Sequence, residues 1–369
     1  MEKEVLLSVK NLQQYFKMGK RELKAVDNVS FDIYKGEVFG LVGESGCGKT
    51  TTGRSIIRLY DITGGSVYYK GQRICAGTRS YKDAIKQARK DYAEKKITKE
   101  DLDKIVAENR AQIKAAVADH NKWARTKSKE NQLTNEIQMI FQDPIASLDP
   151  RMTVRDIIAE GLVIRGVKDK DYIDKQVYKI LETVGLVQEH ASRYPHEFSG
   201  GQRQRIGIAR AVVMNPELII ADEPISALDV SIQAQVINLL NDLSEKMGLT
   251  IMFIAHDLAV VKYFSNRIAV MYFGKIVELG TSEELFAHPF HPYTRSLLSA
   301  IPLPDPITEK SRKRITYNPI LDHDYSKEDP SMREIYPGHF VLCNTEEMKR
   351  YQAEAAAIDA ANAGEVNEG

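Results

Sequence analysis

The sequence predicts an α/β domain built around a mostly parallel β-sheet with helices on both faces. Three short runs of almost uninterrupted apolar residues carry this prediction, because strands buried on both faces lose the usual apolar–polar alternation. The runs span residues 37–42, 218–221 and 250–255, and helix-prone stretches separate them. Residues 25–33 differ, since they alternate apolar with polar side chains, which is typical of strands joined by turns.

Composition and charge exclude several functional classes. Of the 369 residues, 43% are hydrophobic and 28% are charged, which is typical of a folded protein with a sizeable core. Lys+Arg and Asp+Glu both total 51, so no net charge attracts the chain to nucleic acid, and none is expected as a partner. The cysteines at 47, 75 and 343 show neither paired-ligand spacing nor a disulfide framework, which indicates a reducing compartment.

The sequence also predicts that any membrane contact comes through partners. No apolar run approaches the roughly 20 residues of a membrane-spanning helix, and the opening residues lack the apolar core of a secretory signal.

Residues 77–131 interrupt the pattern with a strongly charged segment that contains no proline. It holds 15 basic and 9 acidic residues, and a capping-box-like stretch at 98–101 precedes apolar residues at near-helical spacing. We predict two charged helices inserted into the domain as a solvated addition that packs mainly within itself. Further on, a proline-rich break at 301–306 separates the body from a polar segment, and the residues beyond about 353 are expected to fray.

The first chemical motif follows the apolar run at residues 37–42. Its glycines let backbone amides surround a phosphate, and the next helix adds its positive N-terminus. Lys49 is expected to reach the β- and γ-phosphates of a nucleotide, and the Thr50 hydroxyl to bind Mg²⁺. The predicted ATP-binding residues of this loop are Gly43, Glu44, Ser45, Gly46, Cys47, Gly48, Lys49, Thr50 and Thr51.

The run at residues 218–221 ends in two carboxylates, Asp222 and Glu223. A buried strand would place them at its carboxyl end, where α/β sheets bind ligands. Asp222 suits a contact with Mg²⁺, and Glu223 suits polarisation of the water that attacks the γ-phosphate. Without the phosphate loop upstream, a solvated strand end with ordinary surface acids would be the better interpretation; with that loop it becomes the lesser one.

Ser199, Gly200, Gly201 and Gln202 form a second candidate phosphate site. Two adjacent glycines before a helix-prone run give a helix N-terminus with exposed amides and a serine hydroxyl. A chain with one phosphate loop has a use for a second only if another subunit supplies the nucleotide. This segment resembles the signature motif of the ATP-binding cassette (ABC) family.

The resemblance covers roughly residues 5–300 and implies roles for further residues. Gln142 resembles the Q-loop glutamine, Asp229 belongs to a segment like the D-loop, and His256 resembles the switch histidine. Phe16, with Tyr15 as the alternative, resembles the aromatic that stacks on adenine. The implied fold is a P-loop NTPase cassette, with a RecA-like sheet, an antiparallel β subdomain and a helical subdomain at about 144–210.

The family also implies a mechanism, with ATP and Mg²⁺ as cofactors. Glu223, His256 and Gln142 would be catalytic, and Thr50, Gln142 and Asp222 would face the Mg²⁺ ion. Two cassettes would pack head to tail, so that Ser199, Gly200, Gly201 and Gln202 of one chain contact the nucleotide held by the other.

Three stretches resemble the peptide/nickel importer subfamily, in its second-cassette type: residues 141–152, 226–235 and 288–295. The last reads H-P-F-H-P-Y-T-R and implies a cassette at 1–284, a C-terminal extension at 285–345 and a flexible tail at 346–369. Many relatives hold an iron–sulfur cluster with several cysteines of this extension. Cys343 alone cannot supply four ligands, so no cluster is expected.

This resemblance implies a subunit that couples ATP hydrolysis to the uptake of oligopeptides or dipeptides. The implied partners are a second, non-identical ABC ATPase, two membrane permeases and, indirectly, an external peptide-binding protein. The chain would lie peripherally at the cytoplasmic face of the membrane. Import of nickel or another small solute, and a non-transport role such as a ribosome-associated ATPase, are the alternatives.

Overall fold

The computed structural model describes residues 4–125, 133–301 and 314–366. Internal contacts group the chain into two compact units, a first of Met1–Glu37 with Thr50–Met252 and a second of Val38–Lys49 with Phe253–Gly369. The strand at Thr250–Ala255 divides between them. Among the described residues, no helix combines the length and apolar character needed to cross a bilayer.

The elements alternate between strands and helices, as an α/β fold requires. In chain order they are β1 (Val5–Met18), β2 (Arg21–Tyr34), β3 (Val38–Val42), α1 (Lys49–Ile56), β4 (Gly64–Tyr69), β5 (Gln72–Ala76), α2 (Arg79–Ala93), α3 (Lys99–Arg125), α4 (Leu133–Glu136), β6 (Ile137–Ile140), α5 (Val154–Arg165), α6 (Lys170–Thr183), two 3₁₀ helices (Gln188–Ser192 and Pro195–Glu197), α7 (Gly200–Val212), β7 (Leu218–Asp222), α8 (Val230–Met247), β8 (Thr250–Ala255), α9 (Leu258–Lys262), β9 (Arg267–Tyr272), β10 (Lys275–Thr281), α10 (Ser282–Ala287), α11 (Pro292–Ser299), α12 (Pro319–Asp322), β11 (Ser331–Tyr336), β12 (His339–Cys343) and α13 (Thr345–Val366).

Within the first unit, an antiparallel sheet has the order β2-β1-β4-β5. From Val29 to Ile33, alternate residues of β2 are buried, as the sequence pattern predicts for a sheet with one face in solvent. Two further strands, β6 and β7, pair in parallel from Ile137 opposite Leu218 to Ile140 opposite Ala221. All five residues of β7 are buried, which explains its uninterrupted apolar sequence.

The inserted segment forms two helices, α2 and α3, as predicted, although residues 126–132 lie outside the described ranges. Thr98 and Asp101 make the reciprocal hydrogen bonds of a capping box at the start of α3. The helices do not pack only on each other. Ala116 of α3 is fully buried, and Asp119 pairs with Arg73 of β5 at 2.6 Å. The side chain of Trp123, expected to pack within the insertion, lies outside the described residues.

Helices α5, α6 and α7 of the first unit form the predicted helical region. Each begins at a residue whose side chain accepts a hydrogen bond from a backbone amide of the first turn: Thr153, Asp169 and Ser199. Such N-caps satisfy donors that a helix cannot pair internally, and each contributes about 1 kcal/mol to helix stability.

Within the second unit, the strand order is β11-β12-β10-β9-β3. Strands β3 and β9 run parallel, and the others pair antiparallel. The parallel pairing of β3 agrees with the prediction from its apolar run. The sheet is therefore mixed, with antiparallel strands added by the C-terminal part of the chain.

The end of the chain differs from the expected flexible tail. Residues Thr345–Val366 form helix α13, in which Tyr351 and Ala355 are buried. They pack in a small core with Phe290, Val341 and Cys343. The polar, alanine-rich sequence looked like a tail, but alanine has the highest helix propensity, and the buried face fixes the helix on the sheet.

Candidate nucleotide-binding site

The phosphate loop follows β3 directly and belongs to the second unit up to Lys49. Gly43, Gly46 and Gly48 all have positive φ, which allows the loop to curl. At Gly43 no other residue fits, because a Cβ would lie 2.1 Å from the carbonyl oxygen of Met271. The loop is also fixed from outside, where the Gly274 amide donates to the Cys47 carbonyl at 2.8 Å.

Lys49 is buried at the start of α1, with its ammonium turned back over the loop. Its Nζ donates to the carbonyl oxygens of Gly43 at 2.8 Å and Glu44 at 2.9 Å. A cation held in this way at a helix N-terminus forms a positive cradle, which is the electrostatic requirement for binding a polyphosphate.

Thr50 and Asp222, both in the first unit, are hydrogen-bonded to each other. The Thr50 hydroxyl donates to Oδ1 of Asp222 at 2.7 Å, and Asp222 is fully buried at the end of β7. Hydroxyl and carboxylate oxygens are hard donors of the kind that Mg²⁺ prefers. Within the described ranges no group of three or more His, Cys, Asp or Glu side chains could hold a metal. The oxygen atoms of Thr50 and Asp222 are suited to contribute to a Mg²⁺ site.

Gln142 and Glu223 form a second pair in the same unit. The Gln142 amide nitrogen donates to Oε2 of Glu223 at 3.0 Å. Glu223 has a φ of 43°, a conformation that is uncommon outside glycine, and it is 9% exposed. The hydrogen bond and the turn after β7 fix the direction of the carboxylate, as a group that positions a water molecule requires.

The segment Ser199–Gln202 opens α7 as predicted. The Ser199 side chain accepts from the Gln202 amide, while the Gln202 side chain accepts from the Ser199 amide. Ser199 and Gly200 are exposed, but a Cβ at Gly201 would lie 2.6 Å from Cγ2 of Ile232 on α8. The sequence predicts a phosphate-binding role for both glycines, and the structure gives Gly201 a packing role as well.

Two more predicted residues lie at element ends. Asp229 is exposed and directly precedes α8, and His256 is exposed and directly follows β8. The neighbouring Asp257 caps α9 by accepting from the Ala259 amide. The D-loop and switch roles of Asp229 and His256 stay predictions.

The two candidate adenine-stacking aromatics differ in their surroundings. The Tyr15 hydroxyl donates to Asp27, and its ring lies 4.9 Å from the Arg79 guanidinium and 5.4 Å from the Lys24 ammonium. Burial and the Asp27 carboxylate raise the pKa of Tyr15 well above its usual range. Phe16 is half-buried, and its ring makes an edge-to-face contact with that of Tyr60, with the two centroids 5.3 Å apart. The surroundings favour Phe16, because both cations already occupy Tyr15.

Two further contacts were not predicted from the sequence. Tyr293, in the His-Pro-Tyr element, accepts a hydrogen bond from the Glu44 amide at 3.1 Å. Arg79, at the start of the insertion, pairs with both carboxylate oxygens of Glu22 at 2.6 and 2.8 Å. The His-Pro-Tyr motif is a sequence signal that could have indicated the Tyr293 contact, but the sequence offers no signal for the pairing of Arg79 with Glu22.

Comparison with known proteins decides the family. The profile described as "ABC transporter" matches residues 26–127 and 102–226, and the one described as "Oligopeptide/dipeptide transporter, C-terminal region" matches residues 277–327. The chain belongs to the ABC transporter family. The resemblance drawn from the motifs is thereby confirmed for both the cassette and the C-terminal region.

Individual relatives agree with this assignment. The oligopeptide transport ATP-binding protein OppF of Bacillus subtilis (strain 168) is 52% identical over 349 residues, covering 94% of this chain and 99% of the relative. The dipeptide transport ATP-binding protein DppF of Lactococcus lactis subsp. cremoris (strain MG1363) is 48% identical over 358 residues, covering 96% and 99%.

A solved structure supports the predicted fold. A dimeric ATP-binding cassette in a post-hydrolysis state with ADP and Pi has a TM-score of 0.55 and 26% identity, and the match covers 75% of this chain and 99% of that one. The ABC cassette fold is therefore confirmed.

Cys343 is a packing residue of the C-terminal core, in contact with the cluster that contains Phe290 and Tyr351. Burial raises the pKa of its thiol to about 11, so the thiolate that a metal would require is disfavoured. That no iron–sulfur cluster is bound stays a prediction.

Proposed function

We propose that this chain is the ATP-hydrolysing subunit of an ABC importer that takes up oligopeptides or dipeptides. The observation that carries the proposal is a set of two hydrogen-bonded pairs, Thr50 with Asp222 and Gln142 with Glu223. Each pair joins a residue proposed to face Mg²⁺ to one of the two carboxylates at the end of β7. The transport names of relatives that align with nearly the whole chain support the solute class.

In the proposed mechanism, the residues act by position and charge. Phe16 stacks on the adenine, and Lys49 with the loop amides holds the β- and γ-phosphates. Thr50 and Asp222 would hold a Mg²⁺ ion, which would neutralise charge that develops on the phosphates. Glu223 accepts the proton of the attacking water, Gln142 orients Glu223, and His256 contacts the γ-phosphate.

The proposal includes a second cassette. Ser199 and Gly200 are exposed at the N-terminus of α7, a helix of 13 residues whose positive end suits an anion. We propose that this end contacts the γ-phosphate held by a second, non-identical ABC ATPase subunit. The structural relative that is itself a dimeric cassette supports this arrangement.

The proposal also includes two permeases, which would hold the chain at the cytoplasmic face of the membrane. A groove of about 530 Å³ in the first unit has an apolar lining that includes Leu59, Phe141, Ile164 and Met214. Ile164 is 70% exposed, and such a concentration of exposed apolar surface is typical of a protein contact. Phe141 precedes Gln142, so a permease segment in this groove would lie next to the proposed metal residue.

Substitution of the phosphate-loop lysine tests the proposal. Lys49→Ala removes a charged hydrogen-bond donor, which contributes about 1.5–3 kcal/mol, so the ATP dissociation constant should rise by about 10- to 100-fold. Lys246→Ala, which removes an exposed lysine at the end of α8, is the matched control. An unchanged ATP affinity in Lys49→Ala would exclude the proposed site.

The solute is tested by uptake in cells. Cells that lack this chain should fail to take up a labelled tripeptide or dipeptide, and wild-type but not Lys49→Ala protein should restore uptake. Restored nickel uptake without peptide uptake would contradict the proposed solute.

A further inference from the structure

One peptide group of the phosphate loop is held from both sides. The carbonyl oxygen of Gly43 accepts from Nζ of Lys49 at 2.8 Å. The amide of Glu44, which belongs to the same peptide group, donates to the hydroxyl oxygen of Tyr293 at 3.1 Å. The orientation of this single peptide group therefore determines whether Lys49 keeps the Gly43 carbonyl as one of its two carbonyl partners.

Because residue 43 is a glycine, the Gly43–Glu44 peptide group can rotate more readily than it could after a residue with a side chain. Gly43 has a φ of 154°, a conformation that favours glycine, and it has no side chain that could restrict rotation. Space for a side chain is absent as well, because the Met271 carbonyl crowds the position where a Cβ would be. A rotation of the peptide would turn the carbonyl away from Lys49, and the Tyr293 hydroxyl opposes that rotation.

The Tyr293 ring is itself rigidly held. It is 2% exposed, and its centroid lies 4.4 Å from that of Tyr272 and 5.5 Å from that of Tyr317. Its own amide donates to Nδ1 of His291 at 3.1 Å, which caps α11. Burial lowers the pKa of His291 to about 3, so the ring stays neutral and Nδ1 remains an acceptor.

The fully buried carboxylate of Glu278 connects the His-Pro-Tyr element to the hairpin that β11 and β12 form. Glu278 of β10 accepts hydrogen bonds from the amides of Phe290 at 2.8 Å and His291 at 3.1 Å. It also accepts from Nε2 of His339 on β12 at 2.8 Å. A buried acceptor with three donors permits little movement, so the place of the Tyr293 hydroxyl is set by the extension.

We propose that Tyr293 is a positioning residue for ATP binding, which fixes the Gly43–Glu44 peptide group and through it the ammonium of Lys49. The His-Pro-Tyr element thereby makes the phosphate grip of the cassette depend on the C-terminal extension. The inference rests on the proposed role of Lys49 in binding phosphates.

Tyr293→Phe tests the inference, because it removes the hydroxyl and keeps the ring. Loss of one neutral hydrogen bond should raise the dissociation constants of ATP and ADP about three- to tenfold. AMP, which lacks the phosphates that Lys49 reaches, should bind as tightly as before. Tyr317→Phe, in the same aromatic cluster, is the matched control and should bind all three nucleotides within twofold of wild type.

A double-mutant cycle separates positioning from a merely structural effect. In a Lys49→Ala background, Tyr293→Phe should have no further effect on ATP binding, since the partner through which it acts is absent. An equal loss in both backgrounds, or an equal loss for AMP, overturns the inference. If Lys49→Ala weakens ATP binding but Tyr293→Phe does not, the inference is wrong and the proposed function stands; if Lys49→Ala has no effect, both are wrong.

Hydrogen exchange of the unmodified protein gives a test that does not depend on how the variant folds. The nucleotide-free chain should protect the Glu44 amide, since Tyr293 accepts its hydrogen bond. Exchange at the rate of an unstructured peptide would overturn the inference.

Discussion

Replacement of Glu223 by glutamine tests the proposed catalytic base with almost no change in shape. The carboxylate is 9% exposed, and Oε2 accepts from Gln142 at 3.0 Å. A glutamine oxygen can accept the same hydrogen bond, so the local structure should persist, but an amide cannot take a proton from water. A positioned general base contributes about 10²- to 10⁴-fold, so hydrolysis should slow by that factor, equivalent to about 2.7–5.4 kcal/mol of barrier.

Nucleotide binding should respond in the opposite direction. Loss of one negative charge near the proposed phosphate site lowers electrostatic repulsion, so ATP affinity should be equal to or higher than that of wild type. With hydrolysis blocked, the variant should also accumulate an ATP-bound closed dimer, which gel filtration with and without ATP can detect.

The assay is single-turnover hydrolysis of labelled ATP, measured together with a binding titration. Glu217→Gln is the matched control, because it makes the same chemical change just before β7, at a partly exposed residue paired with Lys70 at 2.7 Å. It should hydrolyse ATP at the wild-type rate. Hydrolysis by Glu223→Gln within a few-fold of wild type would refute the assignment of the base.

Three other changes probe the base-stacking residue, the insertion and the C-terminal element. Phe16→Ala should weaken ATP binding by about 1–3 kcal/mol through loss of an aromatic–base stack, whereas a loss confined to Tyr15→Ala would show that the tyrosine stacks. Deleting residues 77–131 and bridging with a short Gly-Ser turn should leave a folded ATP hydrolase whose Tm is a few degrees lower, because the deletion removes the buried Ala116 and the ion pair of Asp119 with Arg73; an insoluble product would contradict this. His291 has a pKa of about 3 in the folded protein and about 6.5 in the unfolded chain. As the pH falls below about 6.5, the unfolded chain therefore binds the proton first. The free energy of unfolding should drop by about 1.4 kcal/mol from pH 7.5 to 5.5. His291→Asn keeps a capping side chain but cannot titrate, so denaturant melts should show a smaller drop, and an equal drop in both proteins would contradict the assignment.

Sequence patterns predicted the central strands well because a strand that is buried on both faces has an almost continuous apolar sequence. Strands β3, β7 and β8 coincide with the three apolar runs, and the motif residues follow their ends. The pattern was less informative where a residue serves two purposes. Gly201 belongs to a phosphate-site motif, yet a Cβ there would also collide with Ile232, and no local pattern distinguishes these requirements.

The contacts of charged surface segments were harder to predict from the sequence, since their partners lie far away along the chain. The sequence predicts that the insertion is a solvated addition, because its charged residues outnumber its apolar ones. Some of those charges pair with the neighbouring sheet instead: Arg79 with Glu22, and Asp119 with Arg73. The sequence left Tyr15 open as the alternative to Phe16 for a similar reason. Strand alternation places the two rings on opposite faces, but only tertiary contacts show that Arg79 covers Tyr15.

The contact between Tyr293 and the phosphate loop shows a more general limit of sequence reasoning. The two residues are 249 positions apart, and the donor is a backbone amide, which every residue except proline possesses. The identity of Glu44 therefore carries no trace of the contact. The contact requires a particular residue only at position 293, and that tyrosine belongs to the His-Pro-Tyr element by which the family is recognised. A side chain that binds main-chain atoms can thus be part of a recognisable motif although no sequence feature marks its partner. Its role can be identified only from the folded structure.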